Sequence, residues 1–180
     1  GRYFYIKDGE TVWNPGWQPT RTPLDFYECR HGMGYTVISG AKNGVSARQQ
    51  IFVPVGDSCE IDRQNIKNES GATKTLQVYS YVEFCLWNAV DDSTNCQRNF
   101  STGEVEVEGS AIYHKTEYRE RRDHYAFWAV NAPLDGFDTS RDAFLGAYRS
   151  NASPEAVEQG HCTNSVAHGW APVGVHQINV

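Results

Sequence analysis

Period-two alternation restricts this chain more than any other feature. Aromatic and β-branched residues recur at every second position in short runs, and Gly, Pro, Asn, Asp or Ser closes each run within a few residues. Such a pattern sets one face of an extended strand on a core and the other in water. It predicts strands over Tyr3–Lys7, Thr11–Asn14, Asp25–Arg30, Tyr35–Ser39, Val45–Val55, Cys59–Asn68, Lys74–Leu86, Glu104–Glu108, Ala111–His114, His124–Val130, Leu145–Tyr148 and Val173–Val180. The breaks "KDGE", "NPGW", "HGMG", "KNGV", "VGDS", "NESGAT" and "EGS" carry turn chemistry. The clearest hairpin is "SGAKNGVSA", because Asn43 and Gly44 both accept the positive φ of a two-residue turn. Only "DTSRDAFLGAY" reads as helix, with Asp138, Thr139 or Ser140 capping a single turn that ends before Gly146. Many short strands with at most one or two short helices make an all-β sandwich or barrel and exclude a doubly wound α/β fold.

A length of 180 residues predicts one domain, 1–180, with enough chain to bury a core. The net charge of −6 argues against a nucleic acid or an anionic membrane as partner, since both attract clustered Lys and Arg. No apolar run is long enough for a membrane span. Five cysteines, Cys29, Cys59, Cys85, Cys96 and Cys162, leave at least one thiol without an internal disulfide, and a reducing cytoplasm is the simpler expectation. The sequons at Asn68, Asn99 and Asn151 point weakly the other way. The chain opens "GRYFYIKDG", already inside an alternating run and without Met, so it is expected to be part of something longer.

Few residues suggest chemistry. The six histidines, His31, His114, His124, His161, His168 and His176, are scattered, and a core or surface role is the better expectation for each. "HGMGYT" has the glycines of an anion loop but no helix behind it, so it reads as a turn. "GEVEVEG" puts Glu104, Glu106 and Glu108 on one face of a half-exposed strand, and no metal site is expected there. "TEYRERRDHY" reads as a solvated, self-neutralising edge. "DDSTNCQRNF", residues 91–100, follows the apolar "VYSYVEFCLWNAV" and is longer than the two to five residues that would join antiparallel strands. Its amides and guanidinium suit the paired hydroxyls of a sugar. On residue types alone a solvated loop is the simpler account.

What reverses that order is a series of motifs: "GRYFYIKDGETVWNPGWQP", "ECRHGMGYTVISG", "IFVPVG" and "YSYVEFCLWNAVDDSTNCQRNFSTGEVEVEGSAIYHKTEYRERRDHYAFWAVNAPLDGFDTSRDAFLG". In this order and over nearly the whole chain, they resemble the N-terminal β domain of cellobiose phosphorylase and related inverting glycoside phosphorylases, glycoside hydrolase family 94. The resemblance implies a large antiparallel β-sandwich, a supersandwich of the galactose-mutarotase-like type, incomplete at its N-terminal side in this chain. It also implies a following (α/α)6 barrel that carries the chemistry. The implied reaction is phosphorolysis: cellobiose and phosphate give α-glucose-1-phosphate and glucose, with inversion. An inverting hydrolase needs an acid and a base, but phosphate arrives as an anion, so one aspartic acid of the barrel suffices. No Asp of this chain corresponds to it.

The resemblance therefore assigns no catalytic residue, no metal and no cofactor here; inorganic phosphate is a co-substrate of the whole enzyme. It implies a homodimer in which this domain leans over the partner subunit's pocket. Gln97 and Arg98, with Asn99 beside them, would donate hydrogen bonds to a β-linked disaccharide and help exclude water. Cys96 stands where relatives carry an aromatic residue. The alternative is a freestanding carbohydrate-binding module using exposed members of Trp13, Trp17, Trp87, Trp128 and Trp170. A third reading, a sandwich of a secreted glycoprotein, rests on the sequons alone.

Overall fold

The computed structural model describes residues 1–86, 90, 94, 102–117, 124–166 and 169–180. In chain order the strands are β1 (Arg2–Asp8), β2 (Thr11–Trp13), β3 (Phe26–His31), β4 (Tyr35–Lys42), β5 (Val45–Phe52), β6 (Ile61–Asn68), β7 (Leu76–Glu83), β8 (Thr102–Glu108), β9 (Ala111–Thr116), β10 (Tyr125–Ala129) and β11 (Gly136–Ser140). Helices α1 (Arg141–Leu145) and α2 (Glu155–Gln159) follow, then β12 (Gly169–Trp170) and β13 (Pro172–Asn179). The strands form three sheets, ordered β11-β13-β7-β1-β2, β10-β9-β8-β12 and β3-β4-β5-β6. Every pairing among them is antiparallel.

The five-stranded sheet is the middle layer, because alternation on β1, β7 and β13 is apolar on both faces. Tyr5, Tyr79, Tyr81, Val173 and Val175 meet Phe144, Leu145, Ala156 and Val157 of the two helices. Within that layer the Tyr81 and Phe144 rings stack at 5.1 Å, and Tyr3 stacks on Tyr81 at 5.8 Å. On the opposite face Phe4, Ile6, Leu76 and Val78 pack with Trp13 and with Val45 and Ala47 of β5. Farther along that face Trp128 of β10 donates Nε1–H to Ser80 Oγ at 3.0 Å. The all-β sandwich expected from the alternation is what the chain forms.

Local signals hold where turn chemistry is strong. Asn43 and Gly44 adopt φ of 52° and 76°, and Lys42 pairs with Val45 across them. Ser140 is the cap of α1, accepting from the Ala143 N–H at 3.4 Å. The strand expected over Leu145–Tyr148 is absent: Phe144 and Leu145 bury the apolar side of α1, Gly146 ends it, and Tyr148 sits in a turn with φ of 60°. Three elements carry no alternation and were not expected. β11 is polar, α2 is five residues between Pro154 and the left-handed Gly160, and β12 is two residues.

Candidate functional site

Gln97, Arg98 and Asn99 lie outside the described residues, as do Cys96, Trp87 and the arginines Arg119, Arg121 and Arg122. The frame that carries the connector is described, and it changes what its length means. β7 ends at Glu83 between β1 and β13, whereas β8 begins at Thr102 between β9 and β12. These two strands belong to different sheets, so the connector is a sheet-to-sheet crossing. A tight turn was never available to it, and length alone carries no functional implication.

The crossing leaves from a buried polar node. Glu83, whose side chain is 7% exposed, accepts from Tyr81 Oη at 2.6 Å and from Arg141 Nε at 3.3 Å. Burial, with the hydrogen bond to Glu83 next, raises the Tyr81 hydroxyl's pKa. Phe84 follows, its N–H reaching the Pro172 carbonyl at 3.4 Å and its ring 5.1 Å from that of His114. His114 is buried, and its Nδ1–H donates to the Glu104 carbonyl at 3.2 Å; loss of solvation outweighs that bond and holds its pKa below the usual histidine value. At the return point a Cβ on Gly103 would sit 2.0 Å from the Lys115 carbonyl oxygen and 2.6 Å from His114 Cε1, so only glycine fits.

Other ends of the same sheet gather there. Glu117 N–H donates to Thr102 O at 3.1 Å, Thr116 N–H to His124 O at 3.0 Å, and Trp170 pairs with Thr102. The described residues flanking positions 118–123 and 167–168 therefore meet beside the one into which the crossing returns.

Two further surfaces are open to solvent. On the outer face of β8, β9 and β10 the cross-strand rows are Glu104–Lys115–Tyr125 and Glu106–Tyr113–Phe127. Tyr113, Tyr125 and Phe127 are exposed by 43%, 67% and 60%; the Tyr113 and Phe127 rings lie 6.4 Å apart, and Lys115 Nζ lies 5.9 Å from the Tyr125 ring centre. The sequence signal for this aromatic face is the alternation in "HYAFWAV", which puts Tyr125 and Phe127 on the side opposite Trp128. At the far end of these strands Gly109, Ser110, Asn131, Ala132, Pro133 and Leu134 line an open recess of about 430 Å³.

The expected tryptophan platforms separate. Trp13 is fully buried, Trp128 is engaged with Ser80 and parallel to the His176 ring at 6.4 Å, and Trp17 is exposed. Asn68 of the first sequon donates Nδ2–H to the Ala72 carbonyl at 2.7 Å and accepts from Ser70, as a turn-former does. Cys29, Cys59 and Cys162 form no disulfide, and burial together with Asp138 raises the Cys162 thiol's pKa. Asp138 is itself saturated by Thr163 and Ser165, which is structural work. Among the described residues no three His, Cys, Asp or Glu side chains converge to hold a metal ion, and no described helix is long and apolar enough to cross a membrane.

Comparison with known proteins agrees with this architecture. The family model "Glycosyl hydrolase 94, supersandwich domain" matches residues 1–180. The chain is 37% identical over 176 residues to a solabiose phosphorylase of Paenibacillus borealis, covering 97% of this chain and 23% of that protein. It is 34% identical over 171 residues to an N,N'-diacetylchitobiose phosphorylase of Vibrio furnissii, covering 92% and 21%. A 3-O-beta-D-glucopyranosyl-beta-D-glucuronide phosphorylase of Paenibacillus borealis is 30% identical, with 99% and 24% covered. The chain thus spans less than a quarter of the length of these relatives.

Proposed function

The chain belongs to the glycosyl hydrolase 94 supersandwich family, and from that premise we propose that it is the non-catalytic supersandwich domain of a disaccharide phosphorylase. The observation that carries this reading is alignment over nearly the whole chain to three proteins each named a phosphorylase, of which it covers 21–24%. In the parent, a phosphate oxygen attacks the anomeric carbon as the glycosidic bond breaks. A carboxylic acid outside this chain protonates the departing oxygen, giving an α-sugar-1-phosphate and a free sugar. This domain's contribution is to dimerise and to cover the partner subunit's pocket, with Gln97, Arg98 and Asn99 toward the acceptor-side sugar. Their side-chain types support that role, since a crossing between sheets needs length but not a run of amides and a guanidinium.

The reaction class has more support than the sugar. The relatives' names differ in their disaccharide, so cellobiose is the first substrate to assay and no more than that. Cysteines without a disulfide at positions 29, 59 and 162 favour a cytoplasmic location. The test is to incubate the full-length parent with inorganic phosphate and a panel of β-linked disaccharides, measuring free sugar and sugar-1-phosphate. Equal release of both with one of them supports the reading. Reducing sugar without sugar-1-phosphate would make the parent a hydrolase instead.

A second reading has one specific observation in its favour. The exposed Tyr113, Tyr125 and Phe127, with Glu104 and Glu106 beside them, combine ring faces and hydroxyl acceptors, which is the chemistry of a flat glycan-binding surface. Binding of cellotetraose by the full-length protein that is lost in Phe127→Ala, with turnover unchanged, would establish it beside the first.

A further inference from the structure

Two neighbouring hairpin ends of the β3-β4-β5-β6 sheet invert the usual chemistry of turns. Solvent-exposed connections are ordinarily polar, because their backbone groups and side chains face water. Here "HGMGYT" sets Met33 at the tip between β3 and β4, and "IFVPVG" sets Val53 and Val55 just beyond β5. Both connections are held by their own backbone, Gly32 N–H donating to Tyr35 O at 2.8 Å and Asp57 N–H to Pro54 O at 3.3 Å. Strand register then aligns Tyr35, Phe52 and Ile61 as one cross-strand row beside the tips, all on one face of the sheet. Met33 and Val55 are fully exposed, Val53, Tyr35 and Ile61 are exposed by 56%, 49% and 41%, and Phe52 is half-buried.

A single exposed valine means nothing, but six large apolar side chains at one end of a sheet are the kind of surface that a partner covers. The next row on that face is Arg30, Val37, Gln50 and Arg63, with both arginines exposed. An apolar centre bordered by arginine is the composition of a protein–protein contact. Tyr35 and Phe52 carry rings, but the other four members, Met33, Val53, Val55 and Ile61, give a sugar neither a ring face nor a hydrogen-bonding group, and a chain of net charge −6 does not suit an anionic membrane. We propose that this lip is the docking surface for the part of the parent protein outside these 180 residues. The relatives' lengths put more than three quarters of such a parent there, and a tethered segment reaches the lip at high effective concentration. The proposal rests on the chain being a domain of a larger protein, and not on that protein's activity.

Met33 reports on this directly, being the only methionine in the 180 residues. The native full-length parent is treated with hydrogen peroxide; the Met33 thioether sulfur gains one oxygen, and the peroxide is reduced to water. Peptide mass spectrometry follows the sulfoxide against the same protein unfolded in guanidinium. Oxidation at least tenfold slower in the native protein, unchanged on dilution, is the expected result. A smaller difference overturns the proposal. Protection that disappears on dilution also overturns it, assigning the lip to a second copy, as does protection that needs added cellobiose, which assigns it to a ligand. Because the readout ignores turnover, an oxidisable Met33 in an active phosphorylase sinks only this inference, and a protected Met33 in a protein without phosphorolysis sinks only the proposed function.

Discussion

His176 should make the domain acid-labile, and the size of the effect follows from its surroundings. Its ring is fully buried between the five-stranded sheet and β10, with Nδ1 3.0 Å from Ser80 Oγ. Ser80 Oγ also accepts from Trp128 Nε1–H at 3.0 Å, and the second ring nitrogen, Nε2, has no partner among the described residues, so no acceptor there would offset a charge on the ring. Burial pushes its pKa from 6.5 down to about 4. The interval corresponds to about 3 kcal/mol. The sign follows from which state takes the proton first. Above pH 6.5 neither state is protonated and the contribution is intact. Between pH 6.5 and 4 the unfolded chain binds a proton that the folded one refuses, so stability falls, by about 2 kcal/mol at pH 5. In the full-length protein, calorimetric unfolding of the wild type and of His176→Gln is compared from pH 7.5 to 4.5. Glutamine offers both a donor and an acceptor toward Ser80 and does not titrate. The gap between the two proteins should move in the variant's favour by about 2 kcal/mol as pH falls to 5. A gap that is constant with pH, or that moves the other way, would refute the reasoning.

Gly103→Ala should cost about 1–3 kcal/mol, because its new carbon meets the Lys115 backbone carbonyl as well as the buried His114 ring. Gly34→Ala, with nothing within 4 Å and no positive φ, should stay within about 0.5 kcal/mol; equal effects in thermal unfolding would mean the β8–β9 contact is looser than described. Arg98→Ala in the full-length protein should raise the acceptor KM in the synthetic direction more than it lowers kcat. Unchanged kinetics would leave that connector with a structural role only.

Strands were legible wherever β-branched and aromatic residues recur between turn residues, which is why β1, β2, β3, β6, β8, β9, β10 and β13 stand within two residues of their expected limits. β11 was not legible, because Asp138 is buried by accepting from Thr163 and Ser165, donors some 25 residues away that no local window contains. Leu145–Tyr148 failed for a related reason: a four-residue apolar run fits a strand and a helix end equally, and the packing of Phe144 and Leu145 on the tyrosine layer decides between them. Sheet membership was the deeper gap. Nothing in "DDSTNCQRNF" tells that β7 and β8 part company, and that topology alone requires its length. The proposed roles of Gln97, Arg98 and Asn99 rest on family resemblance and side-chain chemistry. The fate of the tryptophans was equally invisible, since the full burial of Trp13 and the half-burial of Trp128 depend on which side of β2 and β10 packs inward.

The central claim is that these residues are a non-catalytic domain of a phosphorylase. Phosphorus NMR tests it most directly, run on three samples with inorganic phosphate and the best disaccharide of the panel: the full-length protein, residues 1–180 alone, and no protein. The account predicts an α-sugar-1-phosphate signal in the first sample only. A signal from residues 1–180 alone, or none from the full-length protein with any β-linked disaccharide, would contradict it.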